Sequence, residues 1–148
     1  MTNHAELAMN LFREGYNCSQ AVVCAFQDIT GLPDDISKMV SSSFGGGMGR
    51  MREICGAASA MLIVIGMVKG YTDMKDIDAK ADLYSLVQKA LRDFEIRLGS
   101  YRCSILLGKK GPDSPIPTPR TPDFYLTRPC ERIIGTAAEI IDELILGT

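Results

Sequence analysis

The chain has 148 residues, 46% of them hydrophobic and 23% charged, enough apolar material for one domain, residues 1–148, with a sizeable core. Its net charge of −2 and the lack of any long Lys/Arg run leave no footprint for nucleic acid or a membrane surface. The most apolar stretch, Ala57 to Val68, is about half the roughly 20 residues of a membrane span and reads as a buried core helix.

The pattern is helical almost throughout. Ala5, Leu7, Ala8, Leu11 and Phe12 mark one face of a first helix that Gly15 ends. Asn17 then caps a second helix, with Gln20 placed to close a capping box, and its apolar positions run to Gly31. Pro33-Asp34-Asp35 starts a third, shorter helix through Ile36, Met39 and Val40. Phe44-Gly45-Gly46-Gly47-Met48-Gly49 cannot be regular structure at ordinary cost. A long apolar helix follows from Glu53 or Cys55 to Val68. The next begins at Asp76 or Asp78 and carries Ala79, Leu83, Leu86, Val87, Ala90, Leu91 and Phe94 on its buried stripe, ending at Gly99. Ser100 caps a short helix, Tyr101 to Leu107. Residues 111–122 hold five of the seven prolines and read as an extended strap within the domain. Pro129 restarts helix, with Ile133, Ile134, Ala137, Ile140, Ile141, Leu144 and Ile145 as its apolar face. The expected fold is all-α, a single-domain helical bundle of about five to seven helices with a Pro-rich loop near the C-terminus.

Four of the five cysteines fall at these helix starts: Cys18, Cys55, Cys103 and Cys130. A helix start offers unsatisfied N–H groups and partial positive charge, which favour a thiolate. Arg50, Arg52, Arg102, Arg128 and Arg132 flank them, and cationic neighbours act in the same direction or neutralise an anionic ligand. Cys24 sits in an apolar run and looks ordinary. The separations of 37, 48 and 27 residues contain no CxxC knuckle, which argues against a zinc ribbon or thioredoxin-type motif. Dispersed ligands still converge when helices pack, so two active readings stand. In one, Cys55 attacks a disulfide or another electrophile and Cys130 or Cys103 resolves the mixed disulfide. In the other, Cys18, Cys55, Cys103 and Cys130 hold zinc or an iron–sulfur cluster: the cluster suits electron transfer, and a closed zinc site makes the chain a structural or regulatory module rather than an enzyme. An interaction protein with inert cysteines is the third.

The glycine-rich loop lacks the Lys-Ser/Thr of a P-loop and a clear preceding strand. Gly45, Gly46, Gly47 and Gly49 instead let the backbone pass close to the sulfur site, where a cofactor or thiol would meet its N–H groups. His4, the single histidine, lies near an end expected to fray, so no His-based triad is available. Glu53 reads as an acid at a helix start. Met48, Met51, Met61 and Met67 read as core filler.

Together, Asn17-Cys18-Ser19-Gln20, the glycine loop leading to Cys55-Gly56-Ala57, Tyr101-Arg102-Cys103 with Leu106-Leu107-Gly108, and Cys130 resemble the family of small redox-active proteins named for the pattern C, GCAxxG, C, C. Ala60 stands where that family usually has the motif's final glycine. The resemblance implies a redox or metal role through the cysteines and carries no settled reaction. An oxidoreductase acting through thiolates is therefore open, as are its redox partner or small electrophilic substrate and self-association. The N-terminus does not read as a signal peptide, and the expected location is cytoplasmic, where thiols stay reduced.

Overall fold

The computed structural model describes residues 3–147. It is all-α: α1 (His4–Arg13), α2 (Cys18–Ala25), α3 (Gln27–Thr30), α4 (Asp34–Ser42), α5 (Gly45–Met48), α6 (Gly56–Lys69), α7 (Ile77–Leu98), α8 (Cys103–Leu107), α9 (Pro122–Thr127) and α10 (Cys130–Ile141), closed by a π-helical turn, Asp142–Leu146. Among the described residues six of these run to seven or more residues, inside the expected range, and short turns of helix bring the total above it.

Local chemistry accounts for most boundaries. Asn17 Oδ1 accepts from the Gln20 N–H at 2.8 Å, and Gln20 Oε1 accepts from the Asn17 N–H at 3.3 Å, a complete capping box. Asp76 caps α7 through the Ala79 N–H at 2.9 Å. Ser100 does not cap as expected. Its hydroxyl accepts from the Arg102 N–H, and α8 begins only at Cys103. The expected second helix breaks at Phe26 into α2 and α3, which seats the fully buried Phe26 ring flat on His4. α9 follows the strap, in a stretch where the sequence pattern named no helix: Thr121 caps it through the Phe124 N–H, with Pro122 in its first turn.

The core is built where α1, α2, α6 and α10 meet, with α7 laid against α6 and α10. Phe26, Met61, Ile65, Phe94, Ile134, Ile140 and Ile141 are fully buried in it. The stripe expected on α7 is only partly used, since Ala90 and Phe94 are buried while Leu83, Leu86 and Leu91 are half-covered. Of the four methionines read as filler, Met61 alone is buried; Met48, Met51 and Met67 are exposed.

His4 corrects the expectation of a frayed end. It is buried, its Nδ1 lies 2.8 Å from Asp142, its Nε2 lies 3.0 Å from Asp28, and its ring stacks on Phe26 at 4.1 Å. One side chain thus ties the start of α1 to α3's first turn and to the C-terminal turn. His4→Ala leaves two carboxylates without their shared partner and opens space against Phe26. The expected cost is about 2–4 kcal/mol, read as a lower denaturant midpoint at unchanged slope.

Candidate functional site

Backbone pairing assembles the site. Ile54 and Arg102 form an isolated antiparallel bridge. Around it the Cys55 N–H donates to the Tyr101 carbonyl at 2.8 Å, the Cys103 N–H to Glu53 at 2.6 Å, and the Ser104 N–H to Arg52 at 3.2 Å. These three bonds lock the start of α6 beside the start of α8, although Cys55 and Cys103 lie far apart in sequence. The α2 start reaches the same place because Gly56 carries no side chain. A Cβ there would stand 2.4 Å from Cys18 Sγ and 2.9 Å from the Phe44 carbonyl.

Cys18 is the first residue of α2, Cys55 the N-cap of α6, Cys103 the first residue of α8 and Cys130 the first of α10. All four line one cavity of about 300 Å³. Cys24 is buried in α2 and does not reach it. Gly45, Gly46 and Gly49 contribute to the lining, while Gly47 is buried beneath it, its Cα side facing Cys103. The strap adds Pro115, Pro117, Thr118 and Arg120 to the lining.

Burial and partial charge oppose one another at these thiols, and burial prevails. It pushes the Cys18 thiol above its ordinary value of 9.0, against hydrogen bonds from the backbone of Gly46, Ser19 and Cys18 itself, with the neighbouring Cys103 adding to the rise. Burial likewise raises Cys55 far above 9.0, and negative charge on Cys18 and Cys103 raises it further against the N–H groups of Ala57 and Ala58. Cys130 is pushed up to about 12, again by burial first, with Arg128 and Arg120 pulling the other way. The expectation that helix starts and arginines would lower these thiols therefore does not hold for Cys18, Cys55 or Cys130. Dehydrating a thiolate costs more than a few aligned N–H groups return.

Cys103 is placed differently. Arg52 Nη1 donates to its sulfur at 3.6 Å, and that guanidinium is only 3% exposed. Arg52 also places Nε and Nη2 each 2.8 Å from Asp113 Oδ2 on the strap. The Nε contact is a hydrogen bond and the Nη2 contact an ion pair. Arg52 sits at φ +60 and Arg50 at φ +71, the left-handed region that side-chain-bearing residues avoid. Such strain persists only where surrounding structure enforces it, and here it aims both guanidiniums at the cavity. Arg50 donates to the Ser114 carbonyl at 2.7 Å and to Thr118 Oγ1 at 3.0 Å. Arg120 donates to the carbonyls of Phe12 and Tyr16, each at 3.0 Å, and covers the Phe12 and Phe124 rings. The strap is thereby held at both ends.

Asp113, Thr118 and Arg120 carried no signal in the sequence, where they were three polar residues in a proline-rich loop. Arg102 and Arg132, counted among the flanking cations, are exposed and do not line the cavity. Glu53 is also exposed and contributes its backbone carbonyl alone. A zinc ion or an iron–sulfur cluster would need its sulfurs drawn together into one ligand shell. Among the described residues no three His, Cys, Asp or Glu side chains are grouped to hold a metal ion, so the donor set as it stands does not fit either group. No described helix is long and apolar enough to cross a membrane.

The family model described as "Putative redox-active protein (C_GCAxxG_C_C)" matches residues 16–144, a span that contains all four cavity cysteines, the glycine loop and the strap. The chain belongs to this family. No curated protein and no solved structure matches it.

Proposed function

We propose that this family member is a thiol–disulfide redox protein in which Cys103 begins the exchange and Cys18 completes it. The observation that carries the reading is a cavity lined by four helix-start thiols, one of which meets a buried guanidinium at its sulfur. Cys103 thiolate attacks one sulfur of a disulfide RSSR; the S–S bond breaks and RS⁻ leaves to take up a proton. Cys18 then gives up its proton and attacks Cys103 Sγ, releasing the second RS⁻. The sum is two protein thiols oxidised to one disulfide and one RSSR reduced to two RSH. Cys18 suits the second step because the N–H groups of Gly46, Ser19 and Cys18 face its sulfur. Cys55, the attacker suggested by its glycine-rich approach, is less suited to the first step, because burial and the neighbouring Cys18 hold its thiol well above the ordinary value, whereas Cys103 has the Arg52 guanidinium at its sulfur. All five cysteines are free thiols in the structure, and the proposed setting is a reducing compartment such as the cytoplasm.

The test is equilibrium with buffers of 2-mercaptoethanol and its neutral disulfide, with thiols counted by mass after acid quench. The expected result is a reversible loss of two thiols at a defined ratio of disulfide to thiol, abolished in Cys103→Ser. Full retention of five thiols at every ratio contradicts it.

A further inference from the structure

Four arginines line the cavity (Arg50, Arg52, Arg120 and Arg128), and no carboxylate does. Among the described residues Asp113 is the one carboxylate paired with any of them, and it takes up only Arg52 and, at 4.0 Å, Arg50. Arg120 is held by carbonyls and aromatic rings, and Arg128 lies over the Phe124 ring at 5.1 Å, so both keep an uncompensated charge. The buried Arg52, by contrast, already meets Asp113 Oδ2 and Cys103 Sγ. A guanidinium partly withdrawn from water is costly unless something negative faces it, and Arg120 and Arg128, both half-buried, have no such partner among the described residues. Phe12, Phe124, Pro115 and Pro117 add an apolar part to the same lining. At about 300 Å³ the space is at the lower end of small-molecule pockets.

We propose that the cavity selects small disulfides carrying negative charge on both halves, such as dicarboxylate disulfides, with the uncompensated charges of Arg120 and Arg128 receiving the two anionic groups and the cavity thiols facing the S–S bond. This substrate class rests on the thiol-exchange reading, and the atom balance is the one given above, with RSSR now an anionic disulfide. Positive lining raises the local concentration of an anion and depletes a cation, the more so at low salt.

Three disulfides test it: dithiodiacetate (dianion), hydroxyethyl disulfide (neutral) and cystamine (dication). Each rate of protein thiol loss is divided by the rate of the same disulfide with free 2-mercaptoethanol, which removes intrinsic reactivity. The expected order is dianion over neutral over dication, with about tenfold or more between successive probes at low ionic strength, shrinking with added salt. Arg128→Glu, which gives up a ring contact and the pull of Arg128 on the Cys130 thiol, a change common to all three probes, is expected to reverse the order, and Arg128→Gln to reduce it. A second measurement is calorimetric binding of thiodiacetate, a dianion with a thioether in place of the disulfide, which is expected to bind and to slow the reaction with hydroxyethyl disulfide. Equal normalised rates with no thiodiacetate binding overturn the anion site while leaving exchange itself intact. Thiodiacetate binding without exchange by any disulfide overturns the exchange reading, and with it the disulfide as ligand class.

Discussion

In the folded, reduced protein at pH 8, Cys130 is expected to alkylate with iodoacetamide about a thousandfold more slowly than an exposed cysteine. Its thiol is moved from 9.0 to about 12, chiefly by burial, and only the thiolate attacks. Three pH units correspond to roughly a thousandfold smaller thiolate fraction. Cys55, raised further still, should be slower again. Cys103 should be the first of the four to react, because Arg52 stands ready to receive charge on its sulfur. Peptide mass mapping of a time course reads the order directly. Cys130 labelling as fast as the unfolded chain would contradict the placement of its sulfur. The sign for stability follows from the same shifts. A thiol whose folded-state value is raised favours the fold while it stays protonated, below about pH 9, and that contribution is lost as the pH climbs from 9.0 towards the folded-state value. Denaturant midpoints should therefore fall steadily above pH 9, and Cys130→Ala should flatten the fall.

The second large effect lies in the glycine loop. Gly47→Ala is expected to cost about 3 kcal/mol or more, while Gly49→Ala costs only about 1 kcal/mol. The two positions share a left-handed backbone, φ +69 and φ +65. They differ in surroundings. A Cβ on Gly49 meets nothing within 4 Å, so it adds backbone strain alone. A Cβ on Gly47 stands 2.6 Å from Cys103 Cβ and 2.9 Å from both Arg52 Cα and Glu53 N. Two of those three atoms are backbone, fixed by the Glu53 N–H bond to the Gly47 carbonyl at 3.0 Å and by the Ile54–Arg102 bridge. Relief must come from moving Cys103, which pulls its sulfur off Arg52. Gly47→Ala should therefore also slow Cys103 alkylation, and equal midpoints for the two variants would refute the close approach.

What could be read in the sequence was local. Asn17 with Gln20, Asp76 before a periodic run, and Pro129 before Cys130 are cap and start signals whose physics acts within one turn, and each places its element correctly. Cys18 and Cys130 inherit their helix-start positions from two of those signals, whereas Cys55 and Cys103 stand at helix starts that no side chain caps. The burial of their sulfurs was not legible, because it depends on which helices meet, and that burial reverses the expected direction for Cys18, Cys55 and Cys130. The two-segment bridge at Ile54 and Arg102 has no repeat or turn to announce it. Arg52 looked like one of several flanking cations, and only the strap's return to it through Asp113 makes it the buried one. His4 was misread for the same reason, since Asp28 and Asp142, which hold it, lie on other elements.

The central claim is that Cys18, Cys55, Cys103 and Cys130 share one cavity and exchange sulfur bonds within it, while Cys24 stands apart. Peptide mapping of the protein oxidised in the 2-mercaptoethanol buffer tests it most directly. The account predicts intramolecular disulfides drawn from those four residues, with Cys18–Cys103 the first to form and Cys24 left as a free thiol. Disulfides that include Cys24, or that join separate chains while the four cavity thiols stay reduced, would contradict it.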